Sequence, residues 1–201
     1  MGAGWSDAAV LALAAGTGFL VGAINPATLI AKARGIDLAS SGSGNPGATN
    51  AGRVLGRRTG VLVGVLDVLK GLVPTLVFGL VGPGAAETAG FFAVLGHIFS
   101  PFLRGHGGKG VATTLGAILG VQAVWLLAVL PAFALGYLVT RRVGIGSVLG
   151  ALALIACGLW WAGSTDQRIF ALALGVLILI RHQGNVVQGW RDLRAARPSQ
   201  G

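Results

Sequence analysis

Charge is what this chain has least of. Only 10% of its 201 residues are Asp, Glu, Lys or Arg, against about 25% in a soluble domain. With 54% hydrophobic residues, that shortage excludes both a disordered chain and an ordinary water-soluble enzyme. Cysteine is nearly absent too. The lone Cys157 excludes an intrachain disulfide framework and any cysteine-based metal cluster. The 35 glycines lack a three-residue period, so collagen is excluded. No soluble basic segment accompanies the net charge of +9, which argues against nucleic-acid binding. A membrane protein remains, with its chemistry confined to short loops and to spaces between helices.

Apolar runs at 8–31, 59–81, 85–99, 111–120, 121–140, 146–163 and 167–180 predict an all-α integral membrane protein. It has seven transmembrane helices, several shorter than the usual span of about 20 residues. The run from Val111 to Val139 is too long for one span, so a break is expected near Gly120-Val121-Gln122. An outside N-terminus and a cytoplasmic C-terminus put every basic residue inside except Arg168, outside, and Lys70, within a span. That asymmetry is the positive-inside pattern. Trp5, Trp125, Trp160 and Trp161 fall near outer helix ends and Trp190 near the inner surface, as an interfacial belt requires. Gly56-x3-Gly60-x3-Gly64, Gly116-x3-Gly120 and Gly146-x3-Gly150 suit close helix approach. The chain reads as one membrane domain, 1–201, whose residues 188–201 form a basic cytoplasmic tail.

Two familiar motifs fail on context. Gly42-Ser43-Gly44-Asn45-Pro46-Gly47 fits the dinucleotide G-x-G-x-x-G, but a membrane helix precedes it instead of a strand. Gly107-Gly108-Lys109-Gly110 resembles part of a P-loop, but Gly follows the lysine where Ser or Thr should hold magnesium. What these stretches do offer is anion binding. Glycine-rich turns leading into a helix bare their N–H groups toward an anion. Each also holds a cation, Arg53 in the first and Lys109 in the second. Phosphate is the natural ligand.

Asp67 and Lys70, three residues apart within a span, share a helical face. A charge at that depth costs about 2.5–3.5 kcal/mol. The pair reads either as a mutual ion pair locking two helices or as a cavity where Lys70 meets phosphate. His97 and His182 lie near inner helix ends without carboxylate or cysteine at metal-ligand spacing, so hydrogen bonding or acid–base work is expected of them and no metal. His182 and Asn185 share a helical face.

These stretches resemble a known family, the bacterial membrane acyl-phosphate:glycerol-3-phosphate acyltransferases, known as PlsY. The resemblance rests on GSGNPGATNAGRVLG at 42–56, DVLKG at 67–71, GHIFSPFLRGHGGKGVATTLG at 96–116 and RHQGN at 181–185. It implies transfer of a fatty acyl group from acyl phosphate to the 1-hydroxyl of glycerol 3-phosphate, giving lysophosphatidic acid and phosphate, the first step of phospholipid synthesis. It further implies no cofactor, a monomer, and a multi-pass protein of the bacterial inner membrane with its site on the cytoplasmic face. Ser43, Arg53, Lys109, His182 and Asn185 are the candidate catalytic residues. Gly44, Asn45, Gly47, Thr49, Asn50, Lys70, His97, Gly107, Gly108, Gly110 and Thr113 are the candidates for holding substrate phosphate.

The chain departs from the family pattern after Asn185. Val186-Val187-Gln188 follows where a basic residue, Leu and an acidic residue are usual.

An acyl phosphate is already activated, so the chemistry needs proximity and charge stabilisation more than a nucleophile. The hydroxyl proton has two possible destinations, His182 and a substrate phosphate oxygen, of which the second is preferred. Two alternatives use the same residues: a transporter of a phosphorylated solute, and a divergent relative with another acceptor.

Overall fold

The computed structural model describes residues 6–195, with their side chains except at positions 185, 186 and 188–195. The helices are α1 (Asp7–Ala23), α2 (Pro26–Ala33), α3 (Ala48–Leu55), α4 (Arg57–Gly79), α5 (Ala85–Ile98), α6 (Val111–Gln122), α7 (Leu126–Thr140), α8 (Val143–Trp160) and α9 (Thr165–Ala195). No strand occurs among the described residues. Five helical segments among them are long and apolar enough to cross a bilayer: Asp7–Ala33, Arg57–Gly79, Ala85–Leu103, Val111–Thr140 and Val143–Trp160. Their outward faces carry large exposed apolar side chains such as Val61, Leu127 and Val139. Water would penalise such a surface and lipid does not.

Local chemistry sets the breaks. Pro26 has no N–H to continue α1, so the chain leaves the helix at Ile24. Asn25 then caps α2, its Oδ1 accepting from Thr28 N at 2.8 Å. The expected break within 111–140 falls at Gln122, whose backbone is extended (φ −156°, ψ 82°). A 3-10 turn at Ala123–Trp125 leads into α7. The correction here concerns Trp125. It is 1% exposed and packed in the core instead of at an interface. Trp160 and Trp161, by contrast, are largely exposed at the end of α8. Trp5 and the side chain of Trp190 lie outside the described residues.

Small residues decide which helices meet. A Cβ on Gly18 or Gly22 of α1 would collide with the carbonyls of Ala89 and Ala93 on α5, and one on Gly96 with that of Phe19 on α1. The same holds between α4 and α6, at Gly71 against Thr113 and Gly116 against Val68. The sequence placed Gly116 and Gly146 in this role, and Gly146 does pack against α7, on the Phe133 carbonyl. Bilayer helices gain little from apolar burial, so backbone approach of this kind is what holds them. The main apolar core lies among α5, α6, α8 and α9, around Val94, Ile98, Ile118, Leu154 and Leu174. A smaller core of Ala27, Ala31, Leu38, Ala51 and Val63 lies under the loop that joins α2 to α3.

Candidate active site

α6 and α7 follow one another in the chain but pack chiefly against other helices, α6 on α4 and α7 on α8. A cavity of about 760 Å³ opens beside them. Its polar and cationic lining, Ser43, Asn45, Thr49, Asn50, Arg53, Lys109, Arg141, Arg142 and His182, comes mostly from loops and helix ends, which makes one end of the cavity cationic. The other is apolar, lined by Leu115 and Ile118 of α6, Val129, Leu130 and Phe133 of α7, Leu154 of α8 and Ile178 of α9. Such a cavity suits a ligand with an anionic head and a long apolar tail.

The first glycine-rich loop is organised from within. Asn50, 1% exposed, accepts from Ser43 N through Oδ1 at 2.8 Å and donates through Nδ2 to Ser41 O at 3.0 Å. Gly44, at φ +70°, donates its N–H to Ser41 O, and Gly47 donates to Asn45 O. The amides of Ser43, Gly44 and Gly47 are therefore spent on the loop itself. The cavity is lined instead by Ser43, Asn45 and the start of α3, where the helix leaves the N–H groups of Ala48, Thr49 and Asn50 unmatched. Asn25 Nδ2 donates to Pro46 O at 2.8 Å, so the cap of α2 also anchors this loop. Asn25→Ala removes both contacts and is expected to cost about 1–2 kcal/mol, read as a lower thermal midpoint in detergent.

The second loop folds back on α5. Gly107 N donates to Ile98 O at 3.0 Å and Gly108 N to His97 O at 3.1 Å. A Cβ on Gly107 would strike the His97 carbonyl, and one on Gly108 the His97 imidazole. These two glycines do not line the cavity; Lys109 and Gly110 do. Their role is close packing, which presents the lysine. Arg181 braces the same loop from α9, its guanidinium donating to Gly108 O at 3.3 Å.

Lys70 departs from one of its two sequence readings. Its Nζ donates to Ile24 O at 2.8 Å and lies 3.0 Å from Asp67 Oδ1. It is not among the cavity residues, whereas Asp67 is. His97 Nδ1 sits 3.5 Å from the same carboxylate oxygen, an electrostatic contact at the edge of hydrogen-bond range. Ser100, fully buried, donates to Ala23 O at 2.7 Å. The last carbonyls of α1, which the helix itself leaves unmatched, are thus taken by Lys70 and Ser100. This is the locking pair, tied into a helix end.

His182 Nδ1 lies 2.9 Å from Ile178 O. A carbonyl only accepts, so Nδ1 carries the proton and, in the neutral ring, Nε2 is the acceptor. The ring is 2% exposed and lines the cavity. The Asn185 side chain is not among those described, nor are the side chains of the altered stretch after it apart from Val187. Thr113 is fully buried and absent from the cavity lining, and its carbonyl packs on Gly71 of α4. Thr114 lines the cavity in its place.

The sequence reading missed Asn25, Ser100, Arg141, Arg142 and Thr114. Asn25-Pro26 carries a helix-start signal, Asn before Pro. Arg141 and Arg142 read as topology markers. Arg141 ends α7 in the left-handed region (φ 56°), and that reversal turns both arginines to the cavity mouth.

The match to the family model for "Glycerol-3-phosphate acyltransferase" spans residues 12–191. The chain is 38% identical over 175 residues to a glycerol-3-phosphate acyltransferase of Geobacter sulfurreducens, covering 84% of this chain and 88% of that one. It is 40% identical over 170 residues to glycerol-3-phosphate acyltransferase 1 of Deinococcus radiodurans, covering 84% and 86%. Two crystal structures share its fold. They are PlsY (YgiH), an integral membrane glycerol 3-phosphate acyltransferase, in its glycerol 3-phosphate form (TM-score 0.83) and in its lysophosphatidic acid form (TM-score 0.81). Both are 33% identical, covering 90% of this chain and 92% of theirs. With its loops, its helix pairings and its cavity on that common scaffold, this multi-pass membrane chain belongs to the glycerol-3-phosphate acyltransferase family.

Proposed function

We propose that the chain transfers a fatty acyl group from acyl phosphate to the 1-hydroxyl of glycerol 3-phosphate, releasing lysophosphatidic acid and inorganic phosphate. The observation that carries this reading is the cavity, cationic at one end and apolar at the other. Acyl phosphate matches it with its dianionic head and its chain.

Arg53 and Lys109 hold phosphate oxygens, with Ser43, Asn45 and Thr49 donating alongside. His182 and Asn185 orient glycerol 3-phosphate. The attacking C1 oxygen forms a bond to the carbonyl carbon, and the carbon–oxygen bond to phosphate breaks. The hydroxyl proton passes to an oxygen of the departing phosphate. The chain's work is to align two anions that repel each other and to stabilise charge as it moves.

The same proposal covers the setting. The chain acts as a monomer and a single domain, with 188–201 a basic cytoplasmic tail. It spans the bacterial inner membrane seven times, N-terminus outside, with α6 and α7 as separate short spans and the site on the cytoplasmic face. Clustering of the cavity's cations at one end supports that orientation.

Lys109 gives a pH signature. Its pKa lies below the ordinary lysine range, through burial first, then the nearby Arg181 and Arg53. The protonated form binds phosphate. It is present at low pH and is lost as pH rises through that lowered pKa. The alkaline limb of kcat/KM therefore falls earlier than for an ordinary lysine, and Lys109→Arg moves it to higher pH. A rate–pH profile of the two proteins checks this.

The direct test supplies purified protein with glycerol 3-phosphate and, in turn, acyl phosphate, acyl-CoA and the acyl thioester of acyl carrier protein. Lysophosphatidate from acyl phosphate alone is expected. Product from acyl-CoA alone overturns the donor assignment. Uptake of glycerol phosphate into proteoliposomes without acylation overturns the reaction, and acylation of a different alcohol in an acceptor screen overturns the substrate.

A further inference from the structure

Thr114 lines the cavity without a role among the phosphate-holding groups. It is 6% exposed, yet its Oγ1 makes no hydrogen bond with the protein. Several helical hydroxyls satisfy themselves within the helix. Thr59, Thr75, Thr88, Thr140 and Ser147 each donate to the carbonyl four residues back. Thr114 does not use Gly110 O this way, although its own backbone N–H donates there at 2.8 Å. A buried hydroxyl without a partner is costly, and native structures keep few without cause. Thr113 is unpartnered as well but lies outside the cavity lining.

Position says what the hydroxyl meets. Lys109 and Gly110 stand before it at the cationic end. Val111, Leu115 and Ile118, at helical spacing on the same face of α6, line the cavity with it, and the last two belong to the apolar end. Thr114 therefore sits at the junction, about one helical turn from Gly110. A substrate with phosphate at the lysine and its chain in the groove has one polar group at that junction, the acyl carbonyl.

We propose that Thr114 Oγ1 donates a hydrogen bond to the acyl carbonyl oxygen of donor and product. The bond strengthens as the C1 oxygen adds to the carbonyl carbon and the C=O pair moves onto oxygen. The pair then returns, phosphate leaves with the hydroxyl proton, and Thr114 keeps its own proton throughout. This rests on the acyl-transfer reading above, which wild-type turnover tests separately.

The experiment compares Thr114→Val, which keeps the shape and removes the hydroxyl, with Thr114→Ser, which keeps the hydroxyl. Thr114→Val is expected to lower kcat with acyl phosphate about 10- to 100-fold, with the KM for glycerol 3-phosphate unchanged. Thr114→Ser stays within about threefold of wild type. Binding supplies a readout independent of turnover. Wild type should hold ester lysophosphatidic acid about tenfold tighter than its 1-O-alkyl ether analogue, which lacks the carbonyl. Thr114→Val should hold the two alike. If Thr114→Val does not fold, Thr114→Ala against Thr114→Ser gives the same comparison. Equal kcat in wild type and the valine or alanine variant, or an ester preference that survives either, overturns the proposal. An inactive wild type overturns the parent reading, while the ester–ether comparison still decides the role of Thr114.

Discussion

Lys109→Met lowers lysophosphatidate formation by about 100- to 1,000-fold, the loss that follows removal of one preorganised charge-stabilising group. Lys109 reaches the cavity because Gly107 and Gly108 let its loop close against His97, so its position is fixed before substrate arrives. It is half-buried, and burial first, then the nearby Arg181 and Arg53, disfavour its charge. On the proposed reading, a phosphate dianion held by Lys109 and Arg53 offsets that penalty. Methionine keeps the stem and removes the ammonium, so the thermal midpoint should hold near wild type while the rate collapses. Radiolabelled glycerol 3-phosphate counted in the lipid phase measures the rate. A variant within threefold of wild type would contradict the role.

Asp67→Ala is expected to cost about 3–5 kcal/mol, the usual penalty for leaving one member of a buried ion pair alone. Asp67 and Lys70 are both buried, and the carboxylate oxygen contacts Lys70 at 3.0 Å and His97 at 3.5 Å. Without it, the Lys70 ammonium keeps only the Ile24 carbonyl. His97 loses its electrostatic partner, and its ring packs against Gly108 in the lysine-bearing loop. Activity should therefore fall along with stability. The double change Asp67→Asn, Lys70→Met should recover stability toward wild type, because no uncompensated charge remains. Thermal unfolding of the purified proteins in one detergent measures both. An Asp67→Ala protein within 1 kcal/mol of wild type would remove the pair from its locking role.

Much of the helical layout was legible in the sequence because bilayer physics writes itself as long apolar runs. The break near Gln122 could be read because an unbroken run to Val139 would overshoot the bilayer. Of the candidate site residues, Ser43, Asn45, Gly47, Thr49, Asn50, Arg53, His97, Lys109, Gly110 and His182 do line one cavity.

What the sequence hid was direction. Thr113 and Thr114 are chemically alike and adjacent, and only the rotation of α6 against α4 decides which enters the cavity. Gly107 and Gly108 read as anion-binding amides, but where their N–H groups point depends on a loop returning to His97. Lys70 read equally well as ligand or lock until the end of α1 was seen beside it. The apolar groove has no local signal at all. Its lining comes from α6, α7, α8 and α9, whose residues meet only in three dimensions.

Where glycerol 3-phosphate binds is the most direct measure of what the two loops do. An experimental structure of the protein soaked with glycerol 3-phosphate is predicted to put the phosphate between the loop at 43–53 and Lys109, in contact with Arg53 and Lys109, with the glycerol hydroxyls toward His182. A phosphate found away from both loops, or none at saturating ligand, would contradict that placement.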